Sequence, residues 1–103
     1  MTNYDVIWSP VASLTYLDIL EYLEENWPES VTENFIHRTE TVINHISQNP
    51  YFYSYSKDVE IYKCVVVKQV SLYYHVENNK AELLIFWDNR QDPEKLFSSI
   101  IKL

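Results

Sequence analysis

The chain has 103 residues, 47 % of them hydrophobic and 16 % aromatic, and a formal net charge of −7; this excludes a disordered chain and, at such a length, two independent cores. Gly is absent, which rules out the glycine-dependent phosphate loops of nucleotide-binding folds, and the single Cys64 rules out an intramolecular disulfide or a Cys-based zinc site. The charge is lopsided: residues 1–50 hold eight acids against Arg38 alone, whereas residues 51–103 hold seven acids and seven bases, so long-range attraction of the whole chain to nucleic acid is not expected.

A single domain spanning 1–103 is therefore expected. There is no basic n-region with an apolar core and no run of about twenty apolar residues, so neither a signal peptide nor a membrane partner is expected, and the default location is cytoplasmic.

The stretch YDVIW (4–8) reads as a short strand. Ser9-Pro10 then supplies an N-cap and a proline suited to the first helical position. The helix is predicted from 10 to about 26, with Leu14, Leu17, Ile19, Leu20, Leu23 and Trp27 recurring at helical steps and Asp18, Glu21 and Glu25 forming an acidic outer face. Such acidic rows are routine on solvated faces and are not read as a paired-carboxylate site.

After Trp27-Pro28, SVTE (30–33) has the form of a capping box that opens a second helix. Val31, Phe35, Val42, Ile43 and Ile46 point inward along it, and it ends by Asn49-Pro50. Two helices joined by so short a break form a hairpin. Residues 51–57 read as an aromatic connector.

Three strands follow, over 59–68, 70–77 and 80–87. Asn78-Asn79 suits a two-residue hairpin turn, because Asn tolerates positive φ. In the middle strand Leu72, Tyr74 and Val76 alternate with Ser71, Tyr73, His75 and Glu77, which predicts one core face and one wet face. After Pro93, the residues Leu96, Phe97, Ile100 and Ile101 have helical spacing. The predicted order is β-α-α-β-β-β-α, an α+β fold in which a small antiparallel-rich sheet packs against an N-terminal helical hairpin.

Candidate chemistry is sparse. His37 and His45 lie too far apart on one helix to share a metal, and Cys64 reads as a small buried hydrophobe; no cofactor or metal is expected. His75 on the wet face suits proton transfer or a nucleic-acid contact. Lys63, Lys68 and Arg90 suit phosphate holding or stabilisation of developing negative charge, the alternative being ion pairs with Asp88, Asp92 or Glu60. Tyr51, Tyr53 and Tyr55 suit base stacking, a protein interface or core packing.

Taken together, WSPVA at the strand-to-helix start, NP after the second helix, LYYHV before a hairpin and FWDNRQDPEKL at the end resemble the RelE/ParE superfamily of bacterial toxins, over nearly the whole chain. The resemblance implies the toxic half of a type II toxin–antitoxin module, of the kind that stabilises plasmids, sequestered by a cognate antitoxin. Some members of the superfamily cleave mRNA on the ribosome without a metal, and others poison DNA gyrase. Arg90 matches the family's arginine after the last strand, and Lys63 and Lys68 fall in its basic region. Ser71 stands where the nucleases carry an arginine, and His75 where many relatives have Arg or Gln. Whether the chain is an endoribonuclease or a degenerate protein that binds an antitoxin or pairs with itself therefore stays open.

Overall fold

Ser9 ties the first strand to the first helix and both to the sheet. Its hydroxyl accepts the Ala12 amide at 3.0 Å, as an N-cap should, and donates to the Leu84 carbonyl at 3.0 Å. The computed structural model describes residues 3–91 and 94–96. Its elements are β1 (Asp5–Trp8), α1 (Pro10–Asn26), α2 (Glu29–Gln48), β2 (Ser54–Ser56), β3 (Ile61–Val67), β4 (Val70–Glu77) and β5 (Lys80–Asp88).

The strands form one sheet in the order β1-β5-β4-β3-β2, with β1 parallel to β5 and every other pair antiparallel. Asn78 and Asn79, at φ 52° and 62°, make the β4–β5 turn, and Glu60 takes φ 56° just before β3. In a chain without glycine these three residues bear the left-handed conformations among the described residues.

The helical hairpin covers one face of the sheet. Phe35, Val42 and Ile46 of α2 and Ala12 of α1 bury against Cys64, Val66, Leu72, Tyr74, Leu83 and Phe86. Trp8, Tyr16, Phe35 and Phe86 interlock at ring separations of 5.2 to 5.5 Å. A register shift between Tyr73 and Tyr74 makes Leu84 an extra residue in β5. Besides Ser9 on the Leu84 carbonyl, the Thr15 hydroxyl accepts the Phe86 amide at 3.0 Å, so α1 hydroxyls serve backbone groups on both sides of this bulge.

The α+β class, the helical hairpin and the antiparallel-rich sheet stand as expected, with four corrections. The connector contains a strand, β2, which pairs with β3 from Ser54 opposite Lys63 to Ser56 opposite Ile61. The second helix starts at Glu29 with Pro28 as its cap and no side-chain cap bond, so SVTE is not a capping box; the extended Pro28 (φ −58°, ψ 152°) turns the chain directly from one helix into the next. On α1 the inward stripe is Ala12, Tyr16, Ile19, Leu20 and Leu23, leaving Leu14 and Leu17 exposed, because both lie well round the helix from Ala12.

The fourth correction concerns the wet face. Ser71 is fully buried, and Ile85, Trp87 and Leu96 form a second cluster there with Val11 and Tyr73. The expected helix after Pro93 is seen as helical backbone at 94–96, and Pro93, Phe97, Ile100 and Ile101 lie outside the described residues.

Candidate functional site

A cleft of about 620 Å³ lies where the helical bend meets the β3–β4 turn and the end of β5. Ile19, Leu23 and Phe35 are among its apolar lining, and Tyr22 and Trp27 add aromatic rings. Its polar lining includes Asp18, Asn34, Lys68, Gln69, Asp88 and Arg90. Two of the candidate cations, Lys68 and Arg90, are thus brought together.

Arg90 gets there because β5 ends at Asp88 and the chain turns at once. The Asn89 amide donates to the Gln69 carbonyl at 2.8 Å, and the Arg90 amide donates to Asp88 Oδ1 at 2.9 Å. The guanidinium then folds back on the same carboxylate, with Nη2 donating to Oδ2 at 2.6 Å and Nε donating to Oδ1 at 3.0 Å. Its Cζ lies 5.8 Å from the centre of the Tyr22 ring, within cation–π range. The Arg90 side chain, hydrogen-bonded to Asp88, holds the Asp88 carboxyl below the usual carboxylate range. The sequence offered Asp88, Asp92 and Glu60 as partners; Asp88 is the one the structure shows, and Asp92 lies outside the described residues.

Lys63 and His75 lie elsewhere, on the sheet face turned away from the helices. Lys63 is exposed and sits across from Tyr73, while His75 lies two residues along β4 on the same face. His75 Nε2 donates to Glu82 Oε1 at 2.7 Å. That bond turns Nε2 to the carboxylate and leaves Nδ1 as the ring's other polar position. From Val70, beside the cleft, to His75 is about 16 Å of strand. The four candidate residues therefore form two pairs, Lys68 and Arg90 at the cleft and Lys63 and His75 on the sheet face turned away from the helices.

Ser71 belongs to neither pair. Its hydroxyl donates to Asn89 Oδ1 at 3.0 Å, beneath the turn that carries Arg90. Cys64 is buried, and burial pushes its thiol up to about 11, away from nucleophilic chemistry at neutral pH. His45 Nδ1 lies 2.7 Å from the Tyr53 hydroxyl, so that histidine packs into the connector. Among the described residues no group of three His, Cys, Asp or Glu side chains is placed to hold a metal, and no helix is long and apolar enough to cross a membrane.

Sequence reasoning missed Glu82, Tyr22 and Asn89. The first was within reach: an Asn78-Asn79 turn that pairs Glu77 with Lys80 necessarily sets His75 opposite Glu82. Tyr22 and Asn89 had no comparable signal, since the cleft depends on how the helical bend meets the β3–β4 turn.

No family model matches the chain, and no curated protein matches it in sequence. Among solved structures it is similar to a chain of the YoeB-YefM complex from Staphylococcus aureus, with a TM-score of 0.54 and 13 % sequence identity over 82 % of this chain and 95 % of that one. The fold described above is thus shared with a chain of that complex.

Proposed function

We propose that this chain is the toxin of a type II toxin–antitoxin module, arresting growth by ribosome-dependent mRNA cleavage or by gyrase poisoning and neutralised by a cognate antitoxin. The observation that carries the reading is the shared fold over nearly the whole length of a chain from a toxin–antitoxin complex. If the target is mRNA, the His75–Glu82 pair is suited to taking the proton of an attacking ribose 2′-hydroxyl, and Lys63 on the same face to holding a phosphate. Arg90 and Lys68, lining the cleft, would hold a separate part of the bound strand or the target surface.

A second reading is a catalytically degenerate protein of the same fold that binds an antitoxin, or a second copy of itself, without cleaving RNA. Two observations favour it: Arg90 is chelated by Asp88, and Ser71 is buried where the nucleases of the superfamily carry an arginine.

Expressing the chain alone and together with the product of the neighbouring small gene separates these. Growth arrest relieved by that product is the expected result, and unchanged growth without it removes the toxin reading. If growth stops, mapping of mRNA 5′ ends distinguishes cleavage from gyrase inhibition. Arg90→Ala and His75→Ala, both at partly or fully exposed positions, should then abolish cleavage while the protein stays folded.

A further inference from the structure

Four charged side chains line the cleft of about 620 Å³, and they are not equivalent. Arg90 and Asp88 are committed to each other. Asp18 and Lys68 are both exposed, and among the described residues neither takes part in an ion pair or a side-chain hydrogen bond. Asp18 comes from α1, where it is the member of the acidic row with Glu21 and Glu25 that lines the cleft, and Lys68 comes from the β3–β4 turn. The cleft therefore presents one uncompensated acceptor and one uncompensated cation.

It also presents an open ring. Trp27 lines it at 50 % exposure, and among the described residues its indole meets no other ring or cation, whereas Tyr22 is already faced by the Arg90 guanidinium. A large aromatic surface left open in a ligand-sized concavity suits a flat partner. The Asn34 and Gln69 carboxamides, which both donate and accept, add groups able to read a polar edge.

We propose that the cleft binds a guanine nucleotide carrying one phosphate. The base stacks on the Trp27 indole, and its adjacent N1–H and N2–H groups donate to the Asp18 carboxylate. Asn34 and Gln69 donate to O6 and N7, and the phosphate meets Lys68. Guanine is the base selected because two neighbouring donors face the carboxylate; adenine would turn its N1 acceptor there, like against like. A single phosphate is selected because one free cation is available and a chain without Gly lacks the backbone loop that cradles a polyphosphate. An apolar side chain of a partner protein could fill the same floor, but it would leave both Asp18 and Lys68 unanswered. The proposal goes beyond the toxin reading and stands without it.

The test is an NMR titration of the full-length ¹⁵N-labelled chain with GMP, AMP and guanosine, followed at the Trp27 indole resonance. A saturable shift is expected with GMP, and roughly tenfold weaker binding with AMP or guanosine. Asp18→Asn should bring GMP down to the affinity of AMP. Lys68→Ala should weaken GMP by roughly tenfold and leave guanosine unchanged, a split that a merely structural lysine would not produce. The 2′-O-methyl tetranucleotides UUGU and UUAU, which cannot be cleaved at the ribose, distinguish the source of the nucleotide. UUGU binding more tightly than both GMP and UUAU assigns a guanine of an RNA strand, whereas GMP binding at least as tightly as UUGU assigns a free nucleotide; both support the site. Absence of a saturable Trp27 shift, equal affinity for GMP and AMP, or GMP binding unchanged in Asp18→Asn overturns it. Growth arrest by a chain that fails this titration would remove the nucleotide site and leave the toxin reading in place.

Discussion

On the helix-covered face of the sheet, Leu72, Tyr74, Leu83 and Phe86 are almost wholly buried, and even the Tyr74 hydroxyl is used, donating to the Pro50 carbonyl at 2.6 Å. On the opposite face the buried residues include Ser71 and the patch of Ile85, Trp87 and Leu96, whereas Lys63 and Val65 stand in solvent and His75 meets a half-exposed Glu82. Stability and exposed chemistry are thus divided between two sides of the same strands. Alternation in β4 is what lets one eight-residue segment serve both.

The division predicts its largest effect from truncation on the two sides. Leu72→Ala, at 0 % exposure beneath the helical hairpin, should cost roughly 2–5 kcal/mol through lost burial and the cavity left behind. Val65→Ala, at 53 % exposure on the other side, should stay within about 0.5 kcal/mol. Denaturant midpoints measure both, and a comparable loss from Val65→Ala would show that the outer face carries core-like packing after all.

Legibility in the sequence follows the same division. Elements set by local chemistry were readable: Ser9-Pro10 fixed the start of α1, Asn78-Asn79 fixed the hairpin, and the alternation of Leu72 and Tyr74 marked the core side. Ser71 was misread because alternation reports only which side a residue faces, and Ser71 lies across the ladder from Trp87, which belongs to a buried cluster on that side. The strand β2 escaped because Ser-Tyr-Ser has little apolar pattern of its own and is placed by pairing with β3. For the candidate site, residue types were legible and their grouping was not. Lys63 and Lys68 are five apart in sequence, yet one stands on a sheet face and the other at a turn beside the helices.

A middle-sized effect is expected at Ser71, the polar residue that crosses the division. Ser71→Ala leaves Asn89 Oδ1 without its 3.0 Å donor and should cost about 1 kcal/mol. Because both side chains belong to one bond, Asn89→Ala should add little to it in the double variant. Additive losses would mean that the bond contributes nothing and that Ser71 is retained for its size alone.

The smallest effect belongs to the Asp88–Arg90 clip, and its pH dependence has a definite sign. The guanidinium holds the folded-state Asp88 carboxyl below its ordinary range, so the native chain binds that proton more weakly than the unfolded chain does. The clip's stabilisation is therefore complete above the unfolded carboxyl's pKa, and it disappears as pH falls through the depressed folded value. With the side chains of Arg90 and Asp88 exposed by 53 % and 23 %, solvent and salt screen the pair, so the difference should be slight and should shrink further at high ionic strength. Asp88→Asn removes the titrating group. Its melting temperature should fall a little less between neutral and acid pH than that of the unaltered chain, and the two curves should converge in strong salt. An acid response unchanged by Asp88→Asn would mean that the clip contributes no stability to the end of β5. The chelation of Arg90 would then serve only to aim its guanidinium into the cleft, and the contrast between a stabilising helix side and a chemical outer side would fail at that end of the sheet.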